Sequence, residues 1–169
     1  MKKIGVFYGS DTGNTEQIAK VIAKKLNVDA ADIFDVAQAN GAKLQDYDVL
    51  LLGGSTQGFG DLQSDWENFV DEVKKADLAG KKAAVFGLGD SSSYPDTFCD
   101  AIGIIAKAAQ GAGVILIGNK VDTAGYTFDD SAALVDGAFS GLPLDEDNES
   151  DQTEDRINCW LTGLKKELE

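Results

Sequence analysis

Residues 4–15 constrain this chain more than any other stretch. Ile4-Gly5-Val6-Phe7-Tyr8 is a short apolar run of strand-favouring residues. Gly9-Ser10-Asp11-Thr12-Gly13-Asn14-Thr15 follows, and then a helical pattern carries Ile18, Ile22 and Leu26 along one face, with Ala19 and Ala23 beside them. A strand, a hydroxyl-rich loop and a helix N-terminus in that order make an anion site. The first helical turn points unpaired N–H groups at the loop, and the macrodipole adds partial positive charge. Ser10, Thr12 and Thr15 offer hydroxyl donors and Asn14 an amide, while Gly9 and Gly13 permit a backbone that wraps a phosphate. An ordinary capped turn accounts for the same residue types, because Ser, Thr, Asp and Asn all favour N-caps.

What this loop lacks narrows its ligand. No Lys precedes Thr15, so the nucleotide-binding G-x-x-x-x-G-K-[ST] pattern is absent, and so is the dinucleotide fingerprint G-x-G-x-x-G. Neutral donors and a helix end suit one terminal phosphate. Histidine does not occur anywhere in the chain, which removes His-based acid–base catalysis, Ser-His-Asp hydrolysis and His metal ligation. Cys99 and Cys159 stand far apart with no C-x-x-C, so neither a dithiol motif nor a Cys-rich metal centre is expected. A net charge of −14 opposes binding to nucleic acid and anionic membranes and favours basic protein partners. With no disulfide framework, signal peptide or transmembrane-length apolar run, the expected compartment is the cytoplasm.

Further along, Ala31-Asp32-Ile33-Phe34-Asp35-Val36 reads as a second strand near a sheet edge, and a short helix is possible within 37–46. Val49-Leu50-Leu51-Leu52, closed by Gly53-Gly54, reads as a strand buried on both faces. Ser64-Asp65-Trp66-Glu67 has the form of a capping box opening a helix with Phe69, Val70 and Val73 inward. Ala83-Ala84-Val85-Phe86 predicts another buried strand, residues 97–110 a helix ended by Gly111 or Gly113, and residues 114–118 a further strand. Pro143 cannot donate to a ladder, so Leu142-Pro143-Leu144 belongs on an edge. A closing helix begins near Thr153 and presents Ile157, Trp160, Leu161, Leu164 and Leu168.

This alternation predicts one α/β domain over 1–169, a doubly wound parallel sheet with helices on both faces. Ligands in such sheets sit beyond the carboxyl ends of the strands. Three loops leave those ends: residues 9–15, 54–60 and 88–96. The second carries Phe59 in a Gly-rich turn and the third carries Tyr94. A phosphate loop beside two aromatic-bearing loops points to a flat ring held between them, although either aromatic taken singly is commonly loop packing.

These residues together resemble the flavodoxins. The likeness runs through the T-G-N-T loop, Asp61-Leu62-Gln63-Ser64-Asp65-Trp66, Gly87-Leu88-Gly89-Asp90 with Tyr94, Phe98-Cys99-Asp100-Ala101, and Gly125-Tyr126 with Phe128. It continues through Gly141-Leu142-Pro143-Leu144-Asp145-Glu146-Asp147-Asn148 and so covers nearly the whole chain. Residues 119–139 resemble the insertion that interrupts the last strand of long-chain members. The resemblance implies a five-stranded parallel sheet of order 2-1-3-4-5. Flavodoxin is itself the standard illustration of FMN bound at the switch point between the first and third strands. It also implies non-covalent FMN and a low-potential single-electron carrier, shuttling between semiquinone and hydroquinone, rather than an enzyme.

By the same resemblance, Ser10, Asp11, Thr12, Gly13, Asn14 and Thr15 surround the phosphate. Thr56, Gln57, Gly58, Phe59 and Gly60 line the inner face of the ring. Leu88, Gly89, Asp90 and Tyr94 hold its pyrimidine end and outer face, with Tyr94 stacked on it. A carbonyl of the second loop turns to accept a hydrogen bond from the reduced flavin, and Gly58 is the place where such a turn costs least. Gln57 stands where many members carry Trp; either the inner face is more open or Phe59 swings in to cover it. Implied partners are basic faces of redox proteins: ferredoxin/flavodoxin–NADP reductase, pyruvate:flavodoxin oxidoreductase and nitrogenase reductase, met by a monomer. Two rival functions share this fold. A quinone-reducing flavin enzyme of this fold needs a substrate cleft and usually an oligomer, for which no segment is evident. A phospho-receiver domain needs an Asp at the end of the third strand, where this chain has Leu52-Gly53-Gly54.

Overall fold

The first strand, β1 (Ile4–Gly9), sits inside a parallel sheet and feeds directly into α1 (Asn14–Lys25) in the computed structural model, which describes residues 2–168. The two ends of the expected 1–169 domain, Met1 and Glu169, lie outside the described residues. The remaining strands are β2 (Ile33–Asp35), β3 (Val49–Gln57), β4 (Asp61–Leu62), β5 (Lys82–Leu88), β6 (Ile115–Leu116), β7 (Leu134–Val135), β8 (Ala138–Phe139) and β9 (Leu142–Leu144). The remaining α-helices are α2 (Ser64–Lys75), α3 (Asp100–Gly111) and α4 (Thr153–Glu167).

The main sheet runs β2-β1-β3-β5-β6, every neighbour parallel, so the expected five-strand order 2-1-3-4-5 is present. The fifth position is filled in two pieces. β6 pairs the start of β5 and β9 pairs its end, Leu88 opposite Leu144. Between them lies the insertion, which closes on itself through the β7–β8 hairpin and a Val121–Phe139 bridge. Pro143 thus occupies an outer strand, as its missing N–H requires. The order in which strands are added to the sheet reverses between β1 and β3, and the cleft described below opens there.

Period-two alternation sends successive side chains to opposite faces of the sheet. Phe7, Leu50, Leu52 and Val85 join Trp66, Phe69 and Ile102 under α2 and α3. Val6, Leu51 and Phe86 join Ile18, Ile22, Trp160 and Leu164 under α1 and α4. Trp66 is fully buried and donates its indole N–H to the Gly53 carbonyl at 2.8 Å, fixing α2 against the end of β3. Truncating such a residue to Ala costs about 3–5 kcal/mol.

Local expectations are modified at five places. The second strand, expected over 31–36, covers only Ile33–Asp35, because Ala30–Asp32 wind into a 3₁₀ turn in which the Asp32 N–H donates to the Asp29 carbonyl. α2 is capped by Gln63, whose side-chain oxygen accepts from the Trp66 N–H at 3.3 Å, so Ser64 opens the helix as its first residue and the capping box does not form. α3 starts at Asp100, three residues later than the apolar spacing suggests, because Cys99 adopts a left-handed backbone (φ 53°) that no helix can run through. The strand expected over 114–118 is regular only at Ile115–Leu116. Ile117 still donates to Ala83, but Gly118 (φ 60°) turns the chain toward α4, whose Glu167 carboxylate accepts from its N–H. Within 37–46 the helical piece is a 3₁₀ segment, Gly41–Asp46, capped by the Asn40 side chain.

Candidate functional site

The three loops at the carboxyl ends of β1, β3 and β5 enclose a cleft of about 330 Å³. Its lining includes Asp11, Thr12, Asn14, Thr15, Thr56, Gln57, Gly58, Leu88, Gly89, Asp90 and Tyr94. Eleven of the fifteen residues singled out from sequence therefore meet in one place.

Thr12, Asn14 and Thr15 of the first loop all line the cleft. Gly13 precedes α1 with φ 93°, where any other residue would be strained, and no side chain caps the helix. A Cβ at Gly13 would meet nothing within 4 Å, so backbone conformation and not crowding at that atom selects glycine. Thr15 is buried in the first turn, while Thr12 and Asn14 sit more openly beside it. Ser10 does not line the cleft. Its Oγ accepts from the Gly13 N–H at 3.0 Å and closes the loop. The Asp11 carboxylate accepts from the Gln63 amide at 2.8 Å. Gln63 is fully buried and also reaches Asp65 at 2.7 Å. One side chain thereby caps α2 and anchors the first loop.

The second loop is the hairpin between β3 and β4, where Gln57 pairs with Asp61. Gly58 (φ 49°) and Gly60 (φ 98°) make its turn. Thr56 accepts from the Ala101 N–H at 3.0 Å and so ties the hairpin to the start of α3. Gln57 folds back to donate to Ser55 at 3.0 Å. Phe59 is 86% exposed and meets the Tyr94 ring edge-on at 5.7 Å between centroids; neither Phe59 nor Gly60 lines the cleft. Of the two alternatives for the inner face, the structure thus places Phe59 at the rim against Tyr94, leaving Gln57 on the wall.

The third loop is bound from several sides. The Asp90 carboxylate accepts from the N–H groups of Ser92 and Ser93 and from the Asn148 amide at 2.8 Å. The Tyr94 N–H donates to the Asp90 carbonyl. Asp145, fully buried, accepts from the Ser91 N–H and hydroxyl and from Asn148. Burial works to raise the Asp90 carboxyl, but the bonds from Ser93, Asn148 and Ser92 outweigh it and hold Asp90 below the ordinary carboxylate range. Asp147 shifts the opposite way: burial, then the charges of Asp90, Asp145 and Glu146, push it up. Cys99 is buried against the Gly87 and Leu144 carbonyls and burial pushes its thiol up, which makes it packing and not a nucleophile.

The flavodoxin family model matches residues 6–160, nearly the whole chain. The chain belongs to the flavodoxin family. It is 46% identical to a flavodoxin of a Nostoc species over 167 residues, covering 99% of this chain and 98% of the relative. It is 45% identical to a Synechocystis flavodoxin, covering 100% and 99%. Its fold superimposes on the crystal structure of a Fusobacterium nucleatum flavodoxin bound to flavin mononucleotide with a TM-score of 0.89, at 29% identity and 99% coverage of both chains. Family membership and the doubly wound fold therefore hold as the motifs implied.

Four cleft residues were not singled out from sequence or were given other roles. Ser55, Glu146 and Asp147 line the cleft, and Gln63 supports it from below. Glu146 and Asp147 arrive from the segment after β9, in an acidic stretch that reads locally as a solvated run. Their signal was the pairing of β9 with β5, which brings residue 144 beside residue 88. Asp90 is one of four carboxylates lining the cleft, with Asp11, Glu146 and Asp147.

Proposed function

We propose that this chain binds FMN non-covalently in the cleft and carries single electrons at low potential between redox enzymes, without catalysing a substrate reaction of its own. The observation that carries this is the start of α1: a helix end with no side-chain cap, flanked by Thr12, Asn14 and buried Thr15 and free of Lys and Arg. Neutral donors and a helix dipole fit one phosphate and make no provision for the adenosine diphosphate portion of FAD. Thr12, Asn14, Thr15 and the first N–H groups of α1 would hold the phosphate, with Ser10 and Gly13 shaping the loop and Asp11 anchored by Gln63. Tyr94, 36% exposed at the rim, would give the ring its outer face, and Gln57 and Gly58 its inner one. Leu88, Gly89 and Asp90 would hold the pyrimidine edge. When bound, FMN supplies a ring that takes up and returns electrons one at a time.

The protein's contribution to potential is electrostatic. Asp90 is held ionised, and Glu146 and Asp147 stand on the same wall, so added negative charge in the cleft is opposed at short range. We extend the proposal to partners and setting. Asp61, Asp65 and Glu67, together with Asp147, Asp151, Glu154 and Asp155 of the acidic stretch 145–155, give acidic side chains suited to the basic faces of a reductase, of a pyruvate oxidoreductase or of nitrogenase reductase. Among the described residues no helix is long and apolar enough to cross a membrane. A monomer working in the cytoplasm is the setting we propose. Charge steering is screened over about 8 Å at physiological salt, so electron-transfer rates with a true partner should fall as ionic strength rises.

Stepwise reduction of the purified protein followed by visible absorption tests the reading. Flavin bands bleaching in two separated one-electron steps, the second at very negative potential, are expected. A colourless protein that takes up no FMN, or one concerted two-electron step, would contradict it.

A further inference from the structure

Residues 129–133 of the insertion run along residues 95–103, the approach to α3 and its first turn, and are tied to them repeatedly. The Asp129 and Asp130 N–H groups donate to the Pro95 carbonyl at 2.8 and 3.0 Å, and the Phe98 N–H donates to the Asp130 carbonyl at 3.2 Å. The Ser131 hydroxyl donates to the Phe98 carbonyl. Gly103 completes the fit. It lies inside α3, where glycine weakens a helix, and a Cβ there would stand 2.2 Å from the Ala132 carbonyl oxygen. Glycine lets the two backbones approach this closely. Among the described residues, none from 119–139 lines the cleft.

Asp100 stands between this strap and the second cleft loop. Its Oδ1 accepts from the Ala132 N–H at 2.7 Å. Its Oδ2 lies 2.6 Å from where a Cβ on Gly60 would stand, so the carboxylate fills the space a side chain there would take. The next residue, Ala101, donates its N–H to Thr56 Oγ1 at 3.0 Å. Thr56 and Gly60, on either side of the hairpin turn, are thus both held by the start of α3. Gly58 between them is not: a Cβ there would meet one atom within 4 Å, an Asp61 carboxylate oxygen at 3.7 Å.

We propose that Asp100 is a positioning residue for the flavin ring: held by the insertion at Ala132 and packed on Gly60, it passes the insertion's fixed position on to the second cleft loop. The ends of that loop are anchored, and the peptides at Gly58 and Phe59 stay free to turn toward the ring. A loop anchored in this way needs little further ordering when its carbonyl bonds to the reduced ring. A loose one must be ordered at that moment, which weakens the bond. The insertion thereby acts on the cofactor without touching the cleft. This inference rests on the FMN reading given above.

Two variants of matched charge isolate the effect. Asp100→Asn and Asp100→Ala both remove the carboxylate charge, but only Asn keeps an acceptor for Ala132 and atoms against Gly60. In the FMN-loaded protein, the singly reduced state of the Ala variant should be about tenfold less favoured than that of the Asn variant, the scale of one hydrogen bond. The first one-electron potential of the Ala variant should accordingly lie about 59 mV below that of the Asn variant. Gly103→Ala leaves charge and cleft untouched while pushing on Ala132, and it stands as the test even if Asp100→Ala fails to fold. It should lower the first potential relative to the native protein. In the FMN-free protein it should also shift the amide N–H resonances of Gly58, Phe59 and Gly60. Equal first potentials for the Asn and Ala variants, or a Gly103→Ala protein matching the native one in potential and in hairpin resonances, would overturn the proposal. A native protein that takes up no FMN would overturn the cofactor reading instead, and the resonances recorded without FMN would still decide whether the insertion acts on the hairpin.

Discussion

The first and third cleft loops solve opposite problems with similar residues. Both are rich in Ser, Thr, Asp and Gly, yet the first keeps its donors free and the third consumes them internally. In residues 9–15 the loop's side-chain bonds are Ser10 to Gly13 and Gln63 to Asp11, and α1 begins without a side-chain cap. In residues 88–96, Asp90 takes three donors, Asp145 holds Ser91, Asn148 bridges both carboxylates, and the Gly89 N–H donates to Leu144. The first loop is left electrostatically incomplete, which suits the phosphate site we propose there. The third is over-determined, which suits the proposed support of one aromatic face. The difference teaches that composition marks a loop as polar, while tertiary partners decide whether its polarity serves a ligand or itself.

The largest break in this comparison should come from Asp145→Ala. It strips the acceptor from the Ser91 N–H and hydroxyl and from Asn148 in a fully buried position, and unfolding in urea should show a loss of about 2–4 kcal/mol. Ser10→Ala removes one local acceptor in the first loop and should cost only about 0.5–1.5 kcal/mol. Equal losses would mean that the third loop is no more dependent on distant partners than the first.

The second loop lies between these extremes, and Gly58→Val probes it. A β-branched residue at φ 49° is strained by about 1 kcal/mol or more. If the Gly58 peptide turns on the first reduction, a β-branched residue that hinders the turned state by about 1 kcal/mol should lower the first one-electron potential by about 40 mV and leave the second little changed or less negative. Potentiometry with both steps unaltered would remove the turn from Gly58.

The smallest effect concerns Asp147. Its folded pKa is raised, so its charge opposes folding above the ordinary carboxylate range and ceases to do so once the group is protonated. Asp147→Asn should therefore be slightly more stable than the native chain at pH 7, with the difference vanishing below about pH 4. Asp90 has the reverse sign. Its depressed pKa adds stability above the ordinary range, lost as pH falls through the folded value. An Asp147→Asn advantage that persists at pH 3 would assign the effect to something other than charge.

Much of the architecture was written locally. Ile4 to Thr15 announces strand, loop and helix through periodicity and Gly placement, and the apolar runs at 49–52 and 83–86 are the two buried central strands. The misses share one cause, which is that distant contacts replaced a local preference. Gln63 caps α2 because it is also buried beneath Asp11, a fact invisible in Ser64-Asp65-Trp66-Glu67. Cys99 adopts φ 53° while packed between the Gly87 and Leu144 carbonyls, strands far away in sequence. Glu146 and Asp147 join the cleft only because an interrupted strand returns beside Leu88.

The central claim is that the first loop's uncommitted donors exist for a phosphate, and paired titrations of FMN and riboflavin test it most directly. The two ligands differ by that phosphate alone. With Thr12 and Thr15 both changed to Ala, two hydrogen bonds to a charged group are lost, worth roughly 1.5–3 kcal/mol each. FMN binding should weaken at least about a hundredfold, while riboflavin binding stays within a few-fold of its native value. Equal losses for the two ligands would show that residues 9–15 are not where the phosphate is held.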